Sequence, residues 1–470
     1  MALIADLPRN EDGIATALDL LRQRFGPDRV ETGRTLREQH AHTTTWLRTQ
    51  PPDAVVFPTT TEEVQAVVGI CAAHRVPIVP FGTGSSLEGH VNAPAGGVSL
   101  DFSRMDRILA VHPEDMDVVV EPGVTRKALK THLRDTGLFF PVDPGADASL
   151  GGMAATRASG TNAVRYGTMK DNVLALKAVL PSGEVLKTGA RARKSSAGYD
   201  LTRLMVGSEG TLGIITELTL KLQGIPEAIS AATCSFGSVG DACAAVIETI
   251  QYGLPVARIE LLDSLTVKAV NAYSKLDLPE APLLLLEFHG TGAGVAEQAE
   301  AFGDIAAGFG GEGFVFSTRE EERGRLWQAR HDAFWASLAL RPGAKGISTD
   351  VCVPVSRLAD CVVAAQEKTA EMGFVAPVVG HVGDGNFHVL LLIDIGDAQE
   401  VARAEHFVGW LNELAISMDG TCTGEHGIGQ GKAAYLEAEL GPAAMEVMAA
   451  IKRGIDPGNI LNPGKLRLPA

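Results

Sequence analysis

The feature that most constrains the fold is a set of glycine-rich loops in the first half of the chain, each beside an apolar run. These loops lie at residues 80–86, 144–153, 159–167 and 207–213. Glycine lets the backbone pass close to a neighbour, and a small-residue loop after a strand can aim several N–H groups at a phosphate. Several such loops on one domain predict a long cofactor, and a dinucleotide fits better than a mononucleotide.

The first loop runs from Pro80 to Ser86 with the sequence PFGTGSS and follows a short apolar strand. It lacks the third glycine of the G-x-G-x-x-G fingerprint, because Leu87 stands at that position. A nicotinamide-binding Rossmann fold is therefore disfavoured. A simple tight turn remains the alternative interpretation of this loop taken by itself.

Composition sets wider limits on what the chain can be. Its 470 residues are 45% hydrophobic and 21% charged, which predicts a globular protein of two or three domains and excludes general disorder. The net charge of −16 disfavours a nucleic-acid partner. No apolar run approaches the ~18 residues that span a bilayer, and Asp6 interrupts the N-terminal apolar run too early for a signal peptide.

The six cysteines form no C-x-x-C pair, and a chain of this length does not need disulfides to fold. We therefore expect reduced thiols and a cytoplasmic protein, with a peripheral membrane contact left open. Changes in composition and residue pattern along the chain predict four segments. These are a helical segment at 1–50, an α/β region at 51–225, a region of strands and long helices at 226–420, and a C-terminal segment at 421–470 that returns to glycine-rich loops.

The most distinctive motif is the stretch GHVGDGNFH, which carries His381 and His388 and lies between two apolar runs. The residues between the two histidines read as a hairpin turn, so the imidazoles can sit opposite each other on one face. Such a pair suits a divalent metal, or it forms two hydrogen-bonded core histidines. Spacing does not decide between these two interpretations.

Two further motifs carry chemically useful side chains. Glu425 and His426 lie in the small-residue loop GTCTGEHGIG, which is either a functional loop or an ordinary charged turn. Arg330 lies within a predicted helix, where it either binds a carboxylate through its two-pronged guanidinium or pairs at the surface with Asp332 or Glu322. Lys345 is a weaker second cation. We interpret Glu287 and His289, at a strand end, as structural.

The order of the loops resembles the flavin-binding domain of the vanillyl-alcohol oxidase / p-cresol methylhydroxylase (PCMH) class. The C-terminal half resembles the D-lactate dehydrogenase, glycolate oxidase and D-2-hydroxyglutarate dehydrogenase branch, and segments 326–355 and 380–432 look most like the D-lactate dehydrogenases. The resemblance covers residues 50–468. It implies an α+β fold, with a PCMH-type FAD-binding domain of two subdomains, a substrate domain with an antiparallel sheet, and a C-terminal segment that returns to the FAD domain.

The resemblance also implies the cofactor and its binding residues. Relatives with covalent FAD often carry a histidine in the first loop; Ser85 stands there in this chain, which implies non-covalent FAD. His90 falls where relatives usually have glycine, and we expect it on the loop surface. The implied FAD-binding residues are Pro80, Gly82, Thr83, Gly84, Ser85, Ser86, Pro144, Gly145, Ser149, Gly152, Gly160, Asn162, Gly210, Ile214 and Asn462.

Carried over from the family, His381, His388 and Glu425 match metal ligands and His426 matches the catalytic base. Arg330 would hold the substrate carboxylate, with Lys345 as a second cation. Two imidazoles and one carboxylate suit Zn²⁺ or Mn²⁺. The implied reaction is oxidation of a D-2-hydroxy acid to a 2-oxo acid, with the hydroxyl proton taken by a base and the hydride taken by flavin N5.

Leu390 follows His388 by two residues, where 2-hydroxyglutarate-type relatives tend to carry asparagine. An apolar residue there favours a small monocarboxylate, with D-lactate first and glycolate or D-2-hydroxyglutarate as alternatives. Because the sequence has no haem or iron–sulfur motif, the electron acceptor is expected to be external, a cytochrome, a quinone or an electron-transfer protein. A homodimer is left open.

Two other classes of function also stay open. One is a flavin-linked oxidase of sugars or phenols, which would not need the His/His/Glu set. The other is a non-catalytic flavin-binding subunit of an oxidase complex, which would turn over no hydroxy acid.

Overall fold

The computed structural model describes residues 6–466 and residue 468. They form two compact units, each assembled from separate stretches of the chain. The first unit comprises residues 6–159, 168–225 and the described residues from 425 onward, and the second comprises Gly160–Gly167 and Pro226–Gly424. Over the part of the chain that is described, no helix has the length and apolar character needed to cross a membrane.

Helices in the described residues are numbered in chain order, and two short 3₁₀ turns lie at Pro27–Arg29 and Val355–Arg357. The helices are α1 (Glu11–Phe25), α2 (Arg34–Gln39), α3 (Thr61–Ala73), α4 (Arg126–Leu133), α5 (Leu150–Thr156), α6 (Ala163–Tyr166), α7 (Met169–Asn172), α8 (Leu201–Met205), α9 (Val239–Gln251), α10 (Ser264–Ser274), α11 (Gly292–Gly308), α12 (Glu320–Leu338), α13 (Leu358–Glu371), α14 (Ala398–Ser417), α15 (Leu436–Leu440) and α16 (Pro442–Ile455).

The strands of the described residues are numbered in the same way. They are β1 (Val30–Glu31), β2 (Ala54–Val56), β3 (Ile78–Phe81), β4 (Val98–Asp101), β5 (Ile108–His112), β6 (Asp117–Val120), β7 (Leu138–Phe139), β8 (Val173–Val179), β9 (Val185–Lys187), β10 (Ile214–Lys221), β11 (Gln223–Gly224), β12 (Ala228–Ser235), β13 (Val256–Leu262), β14 (Leu283–Gly290), β15 (Glu312–Ser317), β16 (Lys345–Ser348), β17 (Val351–Cys352), β18 (Val378–His381) and β19 (Asn386–Ile393).

The first unit contains two main sheets, each with its own hydrophobic core. A four-stranded sheet has the order β1-β2-β4-β3, in which β2, β4 and β3 run parallel. Helix α3 covers it with the apolar face that the sequence predicts, because Val64, Val67, Val68 and Cys71 are all fully buried. A five-stranded antiparallel sheet has the order β5-β6-β10-β8-β9.

Strand β3, which leads into the first glycine-rich loop, is completed by the C-terminal end of the chain. The N–H of Ile78 donates to the carbonyl of Ile460 at 2.8 Å, and the N–H of Asn462 donates to the carbonyl of Ile78 at 2.8 Å. Residues 460–462 therefore extend the sheet that presents the first loop.

The second unit is built on one antiparallel sheet in the order β15-β12-β14-β13-β18-β19-β16, with β17 also paired to β19. Helices α10 and α12 pack over a sheet face that includes Leu262 and Leu285, in one buried cluster with Trp327, Ala329 and Ala333. The small alanine side chains let α12 lie close to the sheet. The residues of α12 beside these alanines therefore face the same side of the sheet as Leu262 and Leu285.

The short segment Gly160–Gly167 groups with the second unit, although the sequence places it inside the 51–225 region. The Tyr166 hydroxyl lies 2.7 Å from Nδ1 of His289, and the Arg165 guanidinium donates to the carbonyl of Pro255. The Arg258 guanidinium donates to the side-chain oxygen of Asn162 at 2.8 Å. These long-range contacts explain the assignment, because they tie both ends of the segment to strands β13 and β14.

Candidate active site

One face of the central strands of the second unit carries a row of polar side chains. Strand registers pair Arg258 with Glu287, Leu261 with Gly380 and Val379 with His388. Since alternate residues of a strand share a face, these registers put Arg258, Glu260, Glu287, His381 and His388 on one side of the sheet. This is the same side that helix α12 covers through Leu262 and Leu285.

His381 and His388 come from the two strands of the β18–β19 hairpin. Their ring centroids are 5.4 Å apart with the rings nearly perpendicular, and a nitrogen of one ring lies within 4.8 Å of a nitrogen of the other. The rings share a face, as the sequence predicts. They are diagonal neighbours and not directly opposite, because His381 pairs with Asn386 while His388 pairs with Val379.

Each imidazole has an acceptor behind it, at Nδ1. Nδ1 of His381 lies 2.7 Å from Oε1 of Glu260, and Nδ1 of His388 lies 2.8 Å from the carbonyl oxygen of Thr349. A carbonyl oxygen only accepts, so His388 donates from Nδ1, and the Glu260 carboxylate favours the same tautomer for His381. In that tautomer the lone pair is on Nε2, which is the usual arrangement of histidines that bind a metal. The pair therefore fits a divalent metal.

Glu260 is a fully buried carboxylate on β13 that also receives Arg330. Nη2 and Nε of Arg330 lie 2.7 and 2.9 Å from Oε2 of Glu260. The sequence offered a substrate carboxylate or a surface pairing with Asp332 or Glu322 for this arginine, and the structure shows a different partner, Glu260. Burial alone would raise the pKa of Glu260, but its contacts with His381 and with the Arg330 guanidinium hold that pKa below its ordinary value.

A second buried carboxylate, Asp350, fixes the end of the 420–424 loop beside the hairpin. The Asn386 side-chain amide donates to Oδ1 of Asp350 at 2.8 Å, and the Thr423 hydroxyl donates to Oδ2 at 2.8 Å. A Cβ on Gly424 would lie 2.2 Å from the Asn386 amide nitrogen, so any larger residue here would have to displace the Asn386 amide from Asp350. The next residue is Glu425, where the chain passes into the first unit.

In the first unit, three of the glycine-rich loops pack against one another. A Cβ on Gly82 would meet the Ser149 hydroxyl at 2.0 Å, and a Cβ on Gly210 would meet the Pro80 ring at 2.9 Å. A side chain at either position would crowd the contacts that the 80–86 loop makes with the 144–153 loop and with the 207–213 loop. The convergence creates a small-residue cradle of the kind that a dinucleotide occupies, so the residues present fit FAD.

Individual residues predicted to bind FAD differ in their surroundings. Ser86 has a buried hydroxyl with no hydrogen-bond partner among the described residues, whereas Thr83 and Ser85 face each other at 3.3 Å. The side chain of Ile214 is fully buried in the core of the first unit, so only its backbone could face a ligand. Gly84 has a positive φ, and Gly152 lies beside Ser149. Pro144 is half-buried and Gly145 is exposed. Gly160 and Asn162 belong to the second unit.

His90 is buried, which contradicts the expectation that it lies on the loop surface. Its side chain is only 6% exposed, and Nε2 lies 3.2 Å from Oε2 of Glu209. Burial would raise the pKa of Glu209, but the charge of His90 and the N–H groups of Ile428 and Gly429 hold it below its ordinary value. The expectation failed because the partner of His90 is 119 positions away in the sequence and gives no local signal.

Glu209 and Glu88, which sequence reasoning missed, hold the loop that follows His426. Both oxygens of Glu209 accept the N–H groups of Ile428 and Gly429, at 2.7 and 2.8 Å. The carbonyl of Glu88 accepts the N–H of Gln430 at 2.8 Å, and its Oε1 lies 3.8 Å from Nδ1 of His426. Asn462 donates to the carbonyl of Glu209 at 2.7 Å and so joins the 207–213 loop to the C-terminal segment.

Leu390 and Lys345, both predicted near the substrate, lie on opposite faces of the sheet. Leu390 is buried and lies on the same face as His388. Its Cδ1 atom lies 3.0 Å from the point where a Cβ on Gly346 would be. Lys345 pairs with Ile393, which is out of phase with His388 and Leu390. The register therefore favours Leu390, and not Lys345, as a neighbour of the histidine pair.

Comparison with known proteins covers nearly the whole chain. Residues 52–189 match the family model "FAD binding domain", and residues 225–466 match "FAD linked oxidases, C-terminal domain". The chain belongs to the FAD linked oxidases. A probable mitochondrial D-lactate dehydrogenase of Danio rerio is 52% identical over 94% of this chain and 89% of that protein. A mitochondrial D-lactate dehydrogenase [cytochrome] of Arabidopsis thaliana is 49% identical over 89% of this chain and 74% of that protein.

Solved structures agree with this family at the level of fold. A p-cresol methylhydroxylase with substrate bound superposes with a TM-score of 0.82 over 98% of both chains, at 20% identity. The predicted PCMH-type α+β fold and the predicted flavoprotein family, an FAD-dependent oxidoreductase, are both confirmed.

The cytoplasmic location that we expected is wrong. The names of the D-lactate dehydrogenases of this family from Danio rerio and Arabidopsis thaliana both place them in mitochondria. Unpaired cysteines indicate only that a compartment keeps thiols reduced. Cellular address is read by receptors from short signals, which composition does not report.

Proposed function

We propose that this chain oxidises D-lactate to pyruvate and passes the electrons to an external acceptor. The observation that carries the proposal is the His381–His388 pair, with both Nδ1 atoms facing acceptors, in a chain that is 52% identical to a probable D-lactate dehydrogenase. A sugar or phenol oxidase would have no use for this pair. A small 2-hydroxy acid carries a hydroxyl and a carboxylate, which a metal site and a nearby cation can bind together.

The metal ligands in this proposal are His381, His388 and Glu425, and the ion is Zn²⁺ or Mn²⁺. A bound divalent ion would supply Lewis acidity that makes the substrate hydroxyl more acidic. Gly424, held against Asn386, fixes the point from which Glu425 starts. His426 is the base that takes the hydroxyl proton, which contributes about 10²–10⁴-fold to the rate.

Arg330 orients the substrate through its carboxylate, and Leu390 provides an apolar wall for the methyl group. A guanidinium keeps donors in several directions, so Arg330 can stay on Glu260 and still offer an N–H to a second carboxylate. FAD, held by the three packed loops of the first unit, supplies hydride acceptance when bound. Because Ser85 stands where relatives with covalent FAD often carry histidine, we propose that the cofactor is dissociable.

The test is a dye-reduction screen of D-lactate, L-lactate, glycolate and D-2-hydroxyglutarate with purified protein, alongside flavin and metal analysis. We expect yellow protein that releases FAD on acid denaturation and turns over D-lactate fastest. His381→Ala, His388→Ala and Glu425→Ala should each lose the metal and most activity while FAD remains bound. His132→Ala, at an exposed histidine of α4, is the matched control and should keep both.

Three results would contradict parts of the proposal. Flavin that precipitates with the protein would exclude dissociable FAD. Full metal content in all three variants would remove the ligand assignment. Protein with FAD and metal that turns over no hydroxy acid would favour a non-catalytic subunit.

A further inference from the structure

Glu260 is the one carboxylate among the described residues that contacts both an expected metal ligand and the expected substrate cation. Its two oxygens are divided between them, with Oε1 2.7 Å from Nδ1 of His381 and Oε2 2.7 Å from Nη2 of Arg330. Its side chain is 1% exposed, so water does not screen these contacts. The sequence gives it no signal, because it lies inside the apolar strand β13.

The two contacts share one negative charge. Arg330 makes two contacts to Oε2, from Nη2 and from Nε, and draws electron density toward that oxygen. The hydrogen bond from His381 is therefore weaker than it would be to a carboxylate without a cation. Strengthening the carboxylate behind a metal-bound histidine raises the basicity of the ligand nitrogen, so Arg330 acts on the affinity of the site for metal through Glu260.

We propose that Glu260 is a positioning residue that couples metal binding at His381 to carboxylate binding at Arg330. When a substrate carboxylate also binds the Arg330 guanidinium, Arg330 draws less negative charge toward Oε2 of Glu260. The hydrogen bond from His381 to Oε1 then becomes stronger, and the imidazole becomes a better metal ligand. Coupling of this kind is reciprocal, so a bound metal also favours the carboxylate. The inference rests on the proposed function, because it assumes that His381 holds a metal and that Arg330 meets the substrate.

The test measures Mn²⁺ and Zn²⁺ dissociation constants by chelator competition on metal-stripped, FAD-loaded full-length protein. Glu260→Gln keeps the shape of the side chain, but it removes the negative charge and replaces one acceptor oxygen by an NH2 group. That NH2 group cannot accept a hydrogen bond from His381 or Arg330. Its metal affinity should fall by about 10- to 100-fold, as for other supporting partners of metal ligands. Arg330→Met in the parent should tighten metal binding several-fold, because Glu260 then serves His381 alone.

The double variant separates coupling from simple charge repulsion between Arg330 and the metal. If the effect of Arg330 runs through Glu260, Arg330→Met changes metal affinity in the parent and has little effect in the Glu260→Gln background. Equal effects in both backgrounds would overturn the inference, because they would show that Arg330 acts on the metal through space.

Glu287→Gln is the matched control. Glu287 is a similarly buried carboxylate on the same sheet face, and it pairs with His289 at 2.8 Å and with Arg258 at 3.6 Å. We expect its metal affinity to stay within threefold of the parent. A similar loss in Glu287→Gln and Glu260→Gln would show a general effect of buried charge and would also overturn the inference.

The outcomes also distinguish this inference from the proposed function. A parent protein that binds metal no better than His381→Ala would remove the proposed metal site, and the inference with it. A parent that binds metal tightly and a Glu260→Gln variant that binds it equally well would remove only the inference. If Glu260→Gln does not yield folded protein, the predicted tightening in Arg330→Met still decides, since unchanged or weaker binding there would contradict it.

Discussion

At the residue scale, Arg330 is held from behind by a buried carboxylate before any substrate arrives. Arg330→Lys keeps the charge but replaces a planar fork with a single ammonium, which cannot reach Glu260 through two nitrogens and also face a substrate. We expect kcat/KM for D-lactate to fall about 10- to 150-fold, mainly through KM. Steady-state kinetics with one artificial acceptor measure the change.

The matched control is Arg319→Lys, since Arg319 is exposed and pairs with Glu322 at the start of α12. It should stay within twofold of the parent. Kinetics of Arg330→Lys in the same range would mean that this arginine only anchors helix α12 to Glu260.

Leu390 is the second residue whose role can be tested separately. A substrate with a second carboxylate would have to desolvate that charge beside a buried leucine, at a cost of roughly several kcal/mol if it stays unpaired. We expect kcat/KM for D-lactate to be at least tenfold above that for D-2-hydroxyglutarate. Leu390→Asn should narrow this ratio and Leu390→Met should preserve it. A parent that prefers the dicarboxylate would contradict the role given to Leu390.

At the scale of elements, the β18–β19 hairpin depends on the glycine that closes its turn. Gly385 has a φ of +79°, and a Cβ there would lie 2.0 Å from the carbonyl oxygen of Val353. Gly373 has a φ of +72° with open space around it. Gly373→Ala should therefore cost only the left-handed backbone, about 1–2 kcal/mol, and Gly385→Ala should cost that plus a backbone clash.

The measurement is thermal unfolding of both variants. The fall in Tm for Gly385→Ala should be at least twice that for Gly373→Ala, and Gly385→Ala should also weaken metal binding because the two histidines flank the turn. Equal falls in Tm would show that the loop around Val353 moves aside at little cost.

This hairpin also shows what the sequence could and could not predict. The histidines and their shared face were visible because spacing within a hairpin is local. Glu260 is 121 positions from His381 and 70 from Arg330, so its role depends on the order of strands in the sheet. Distance along the sequence also explains the error on His90. Its position in a loop suggested exposure, but the side chain is buried beside Glu209, which is far away in the sequence.

At the scale of the whole molecule, Lys465 ties the C-terminal end to the loop around Asn92. Its Nζ donates to the carbonyl of Asn92 at 2.8 Å, and burial lowers the pKa of Lys465 to about 7 against a smaller opposing effect of Glu209. The unfolded chain keeps a lysine pKa near 10.4, so between about pH 7 and 10 the unfolded state binds more protons. The contribution of Lys465 to the free energy of unfolding therefore rises with pH between about pH 7 and 10, by at most about 1.4 kcal/mol per pH unit.

Lys465→Met should remove this contribution, so the difference in Tm between parent and variant should shift in favour of the parent from pH 7 to pH 9. Lys194→Met, at an exposed lysine, is the control and should track the parent at both values. A Tm difference for Lys465→Met that does not change with pH would contradict a pKa near 7.

The completion of β3 by Ile460 and Asn462 has a consequence for how the protein is made. The ribosome delivers the chain from its N-terminus, so Ile78 and the first glycine-rich loop emerge long before their last backbone partners. The second unit, whose stretches end at Gly424, can be complete while the first still lacks residues 425–466. The backbone of β3, and with it the first glycine-rich loop, therefore reaches its full set of partners only after residues 460–462 have been synthesised.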